Sequence, residues 1–110
     1  MAQITASGQA DNSTVTLRQV SAAYLGLINA VALSVYNESG GVATGRLFVT
    51  DASDVEQYSI MSFTLADGLS LCGQLSFPKA IQIAATYKIK IDSNAADCLV
   101  DGFVHLFETT

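Results

Sequence analysis

Polar and apolar residues alternate along much of this chain. In "EQYSIMSFTL", residues 56–65, Tyr58, Ile60, Ser62 and Thr64 share one parity, and Gln57, Ser59, Met61, Phe63 and Leu65 the other. In "LSLCGQLSF", residues 69–77, Leu69, Leu71, Gly73, Leu75 and Phe77 share a parity. Val31, Leu33 and Val35 keep the same period through "NAVALSVYN". A period of two is that of a strand with one buried face. "STVTLRQV" reads as a short strand, "VATGRLFVTD" as another, "AIQIAATYKIKID" as one or two, and "CLVDGFVHLFE" as the last. Only residues 17–25 are expected to hold a helical turn.

The punctuation between these runs sets the expected connections. "NESGG" should join 27–36 and 42–50 as antiparallel strands, and "DASD" at 51–54 is a loop. Asp67-Gly68 is a turn signal. Pro78, the one proline, should end its run or sit at a sheet edge. Residues 87–91 and 98–108 are expected to form a hairpin around a turn at 92–97. In it Tyr87, Ile89 and Ile91 line one face, and Lys88 and Lys90 the other. The fold class predicted is all-β: an antiparallel β-sandwich, jelly-roll-like, of about eight short strands. Residues 1–13, polar and small, are expected to be an N-terminal arm, and 14–110 a single β-sandwich domain.

Composition changes this picture in one respect. Half of the 110 residues are hydrophobic and only 14% are charged. A domain of this size leaves a large share of its surface in water. Such a chain has more apolar surface than one small core hides, which predicts an obligate oligomer. Five basic residues stand against ten acidic ones, for a net charge of -5. With no basic stripe to neutralise phosphates, neither nucleic acid nor an anionic membrane is an expected partner. The uncharged run 20–36 is short and interrupted by Ser21, Gly26, Asn29 and Ser34, which argues against a transmembrane helix. The first residues are not expected to be a secretory leader.

The residues best suited to chemistry gather in "YKIKIDSNAADCLVDGFVH", residues 87–105. Asp92 and Asn94 begin like a calcium loop, but Ala96, Asp97 and Phe103 fall where such a loop needs a ligand, a glycine and a glutamate. An ordinary turn is expected instead. Cys98 and the only histidine, His105, are seven apart, so on one strand they face opposite ways. Asp101 shares a face with His105, yet no nucleophile motif accompanies them. "SGG" at 39–41 lacks the residues of a phosphate loop. The acidic set Asp51, Asp54 and Glu56 is expected to be a solvated loop. Tyr24, Tyr36, Tyr58 and Tyr87 are expected as packing residues across strands, not a sugar platform. Cys72 and Cys98 are expected to be two buried hydrophobes, or a disulfide in an oxidising compartment. No catalytic, cofactor or metal residue is therefore assigned, and no cofactor is expected.

Three stretches together carry a resemblance: "LFVTDASDVEQY", "LSFPKAIQIAATYKIKID" and "VDGFVHLFE". Over roughly residues 27–108 the chain resembles small all-β virion proteins of tailed bacteriophages, of the capsid decoration (cement) or head-fibre type. The resemblance implies a non-enzymatic structural protein on the capsid surface that stabilises the head by bridging subunits. It implies a homotrimer whose partners are itself and the major capsid protein or other virion proteins. The alternative is a carbohydrate- or receptor-binding β-sandwich module on a virion. A small enzyme is a third class, which would need a convergent polar cluster with shifted pKa values.

Overall fold

The last strand shows how the alternation becomes structure. From Cys98 to Glu108 every even-numbered side chain is buried and every odd-numbered one is at least partly exposed. In the computed structural model, which describes residues 2–110, eight such strands form. They are β1 (Ala2–Asp11), β2 (Thr14–Gln19), β3 (Leu25–Asn37), β4 (Ala43–Thr50), β5 (Glu56–Leu65), β6 (Ser70–Ile83), β7 (Lys88–Ser93) and β8 (Cys98–Thr109). Two four-stranded antiparallel sheets result, ordered β1-β8-β3-β6 and β2-β7-β4-β5. The fold is an all-β sandwich, as the periodicity predicts.

The core fills the space between the sheets. Val31, Leu33 and Val35 from β3 and Val100, Val104 and Leu106 from β8 meet Leu47 and Val49 from β4 and Ile89 and Ile91 from β7, all buried. Two glycines let the layers approach here. A Cβ at Gly102 would stand 2.4 Å from a methyl of Ile91, and one at Gly45 would stand 2.5 Å from Val100.

The connections depart from the local expectations. The runs 27–36 and 42–50 lie in different sheets and do not pair. Asn37 is buried and carries the chain across: its amide donates to the carbonyls of Gly41 and Leu65 and accepts from Ser39 N–H. The hairpin expected over 87–108 is likewise absent, since β7 pairs with β2 and β4 while β8 pairs with β1 and β3. Of consecutive strands only β4 and β5 pair, through the 51–55 loop. Turn residues permit a reversal, but where the strand goes next is set by which partner covers its apolar face.

Residues 17–25 hold no helical turn. Leu17 is a bulge in β2, the backbone of Val20 bonds to Thr86 and Tyr87, and the one turn there, closed by Tyr24 N–H on the Ser21 carbonyl, has Ala23 at φ 69°, outside the right-handed helical region. Pro78 lies within β6, an edge strand, where residues 77–80 bulge out of register with β3. The N-terminal segment is placed differently from a detached arm. Ala2–Asp11 is β1, paired with β8 along its whole length, with Ala10 buried and Ile4 and Ala6 packed on the core. Its polar residues Gln3, Thr5, Ser7 and Gln9 alternate with these and take the outer face, which is why the composition read as an arm. Met1 lies outside the described residues.

Candidate functional site

The residues singled out around 87–105 are dispersed by the strands that carry them. Cys98 is buried in the core, while His105 faces outward on β8, accepts from the Gln3 amide at 2.9 Å and lies edge-on to Phe107. The opposite parity holds because β8 pairs with β1 without a bulge. Asp101 accepts from Gln9. Asp92 binds Arg46, Asn94 accepts from the N–H of Thr44, and Asp97 turns the chain with φ 63° and donates its N–H to Asp11. These are turn and cross-strand contacts.

The acidic set 51–56 is likewise used within the fold. Asp51 accepts from the N–H groups of Ser53 and Val55 and so closes its own loop. Asp54 takes both lysines of β7: Lys88 at 2.8 Å and Lys90 at 2.6 Å. Hydrogen bonds from Lys88 and Lys90 hold its carboxyl down at about 2. The lysine face of β7 thus meets an acid of its own chain. Glu56 and Asp92 both bind Arg46, whose guanidinium also lies 4.1 Å over the Phe48 ring. The "SGG" turn is closed by Asp67, which accepts from the N–H of Gly40. Both cysteines are free thiols, Cys72 exposed on β6 and Cys98 buried. Among the described residues no three His, Cys, Asp or Glu side chains cluster as a metal site would require. No helix there is long and apolar enough to cross a membrane.

Two surface features remain. The outer face of the first sheet carries an open groove of about 420 Å³ over β3, β6 and β8. Small residues on β3, Ala32 and Ser34, make its floor, with Phe103 and Asp101 on one side and Cys72 and Gln74 on the other.

The second feature is the flank where the edge strands β5 and β6 lie. Leu71 and Leu75 pair with the buried Val35 and Val31, so they point to the inside of the sandwich. Yet they are 47% and 42% exposed, and Leu69 beside them is 54% exposed. Between them Gly73 is covered, lying under Met61 and Phe63 of β5. The sandwich is open along this flank. The flank is also almost free of charge: from Gln57 to Pro78 only Asp67 is charged, in a chain with fifteen charged residues. Alternation in the sequence gives these leucines one parity, and the pairing with β3 turns that parity inward. That nothing covers them is visible only when both sheets are in place.

Solved structures share this arrangement. Two of a pentameric capsid protein isolated from metagenomic phage sequences match with a TM-score of 0.51 each, at 19% identity over 94% of this chain. The chain spans less than two thirds of their length, 62% and 63%. Eiger TNF from S. frugiperda matches with a TM-score of 0.54 at 12% identity, over 98% of this chain and 95% of its own. The likeness is one of fold. A capsid protein and a TNF share it, so the fold alone does not select the role. No family model and no curated protein matches the chain.

Proposed function

We propose that the chain is a non-enzymatic structural protein of a virion that stabilises the shell by bridging subunits on the capsid surface, as a decoration or cement protein does. One observation carries the reading: the charge-poor flank where inward-facing Leu71 and Leu75 stand half exposed. A protein that works alone in water covers such residues, whereas an assembling one leaves them for its neighbour. The shared fold with a phage capsid protein supports the same reading. So does the strand pairing, β1 with β8, β2 with β7, β3 with β6 and β4 with β5, which suits a jelly roll. The partners are further copies of the chain and the major capsid protein. A homotrimer is the state the family resemblance implies, while the fold itself selects no ring size. Mass spectrometry of purified particles of the virus that carries this sequence tests the reading. The chain should be present in a fixed ratio to the major capsid protein, and particles that lack it overturn the proposal.

A second reading rests on the groove. Phe103 offers an apolar face, and Asp101, Gln74 and Ser34 offer hydrogen-bonding groups beside it, a combination that suits a sugar ring. In that case the chain is a carbohydrate-binding module on a virion. Glycan titration followed by NMR would show shifts at these residues, and Phe103→Ala would abolish them.

A further inference from the structure

The free edge of β6 has a sequence that reads nearly the same in both directions. About Gly73, Cys72 mirrors Gln74, Leu71 mirrors Leu75, Ser70 mirrors Ser76, and Leu69 mirrors Phe77. Antiparallel pairing of a strand with its own copy about a two-fold axis places mirrored residues opposite one another. Leucine then meets leucine and serine meets serine. The mirrored ladder runs from Ser70 to Ser76, the stretch in which β6 keeps its register with β3. The inward parity of one copy faces the inward parity of the other, so both keep their apolar side toward the core.

The structure leaves that edge available. β6 is the last strand of its sheet and pairs only with β3. On an edge strand half of the N–H and C=O groups point outward without a partner. Natural edges are guarded by charges, bulges or proline. Here the guards stand at one end only: Pro78, Lys79 and the 77–80 bulge. Residues 70–76 have none. Charge also favours a copy as the occupant. Each chain carries -5, so two copies approach best through surface without charge, and this flank has only Asp67 between Gln57 and Pro78.

We infer that β6 pairs antiparallel with β6 of a second copy about a two-fold axis at Gly73, joining the two β1-β8-β3-β6 sheets edge to edge and covering Leu71 and Leu75. This deepens the assembly reading and rests on it in taking a second copy as the occupant. A two-fold contact makes a dimer, or joins two rings whose own contacts lie elsewhere.

Two measurements test it. The first is light scattering behind size exclusion on the full chain. The wild type should be dimeric, or a higher even oligomer, at micromolar concentration. Leu75→Lys sets a charge opposite Leu71 of the other copy twice per contact, and should weaken association about a hundredfold or more. A wild type that stays monomeric at about a hundred micromolar, a concentration at which even weak association shows, overturns the inference. So does a Leu75→Lys protein that assembles as well as the wild type. The second measurement reads register and does not depend on that variant folding. Ser70→Cys and Ser76→Cys are made separately, each with Cys72→Ser. Under a mild oxidant neither alone should cross-link, while a mixture should give a covalent dimer holding one chain of each. Cross-linking within a single variant, or none in the mixture, overturns the register. A cross-linked pair from a protein missing from particles would refute the virion reading alone. A particle protein without the cross-link would refute only this contact.

Discussion

The two flanks of the sandwich are built differently. On the β1/β2 flank the gap between the sheets is filled. Leu17, bulged out of β2, lies over Gly8 and Gly102, so near that a Cβ built at either would stand 3.0 or 3.2 Å from its methyl carbons. Beyond it Arg18 reaches between the sheets to Glu108 at 2.8 Å, and Glu108, only 2% exposed, also accepts from the N–H of Ser21. On the β5/β6 flank no ion pair crosses the gap among the described residues, and Leu69, Leu71 and Leu75 face water. One edge is sealed by its own chain, and the other has the chemistry of a seam. An apolar residue left exposed while pointing inward is a stronger sign of a missing neighbour than an outward-facing leucine, since any surface carries some of the latter.

The largest expected effect is at the sealed flank. Deleting residues 1–11 removes β1, leaves one edge of β8 unpaired and exposes Val104, Leu106 and the buried Glu108. The truncated chain should lose its cooperative melt in circular dichroism. A truncated chain that melts like the full one would restore a separable arm and make the β1/β2 seal secondary.

A single methyl group compares the flanks more finely. At Gly102 an added Cβ would lie 2.4 Å from buried Ile91, so Gly102→Ala should cost about 1–3 kcal/mol through overpacking. At Gly73 the nearest atoms are the Met61 methyl and the edge of the Phe63 ring, both at 3.1 Å and both outer ends of side chains from edge strand β5, so they need give only a few tenths of an ångström. Gly73→Ala should cost less, about 1 kcal/mol or under. Urea titration of both variants checks the order, and equal costs would mean that the open flank is as tightly packed as the closed one.

The seal should also respond to pH. The hydrogen bond from Arg18 holds the Glu108 carboxyl below its ordinary value of 4.5. A carboxyl depressed in the folded state stabilises the fold fully above its unfolded value, and that contribution is lost as pH falls through the folded one. The melting temperature should therefore fall on acidification below about 4.5, the unfolded value. Glu108→Gln should flatten the upper part of that fall. Asp54 shifts the same way, to about 2, but stands in water and adds little, so Asp54→Asn should leave the slope nearly unchanged.

A small effect on folding should likewise come from truncating a leucine on the open flank. Leu71→Ser removes a side chain that is already half exposed, so the monomer should lose only about 1 kcal/mol. The proposed β6–β6 association should weaken far more. A monomer destabilised by about 3 kcal/mol or more, the cost of a true core truncation, would place Leu71 in the core and erase the contrast.

The surface features were partly legible. The sequence showed that the leucines of 69–77 share one parity, which pairing with Val31 and Val35 turns inward, and that Cys98 and His105 have opposite parity, which puts them on opposite faces of β8. The groove was not legible, because its floor on β3 and its walls on β6 and β8 come together only through pairings distant in sequence. Nor was the Arg18–Glu108 bridge, which spans 90 positions and depends on the bulge at Leu17 to turn Arg18 inward.

Period-two patterning by itself determined that this chain is all-β, roughly where its strands run and which side of each is apolar, because side-chain direction in a strand is a local property of the backbone. Proline chemistry left Pro78 either ending its run or sitting at a sheet edge, since proline cannot donate to a ladder; β6 runs on through it, and the edge position is the one that holds. Only the tertiary structure decided which strands pair. β3 and β4, β5 and β6, and β7 and β8 are neighbours in sequence, and each pair is split between the two sheets. Ala2–Asp11, whose composition suggests an arm, is held as a strand by β8 at the far end of the chain. Pairing is a competition among all strands for partners that cover their apolar faces, and no short window of sequence contains the competitors.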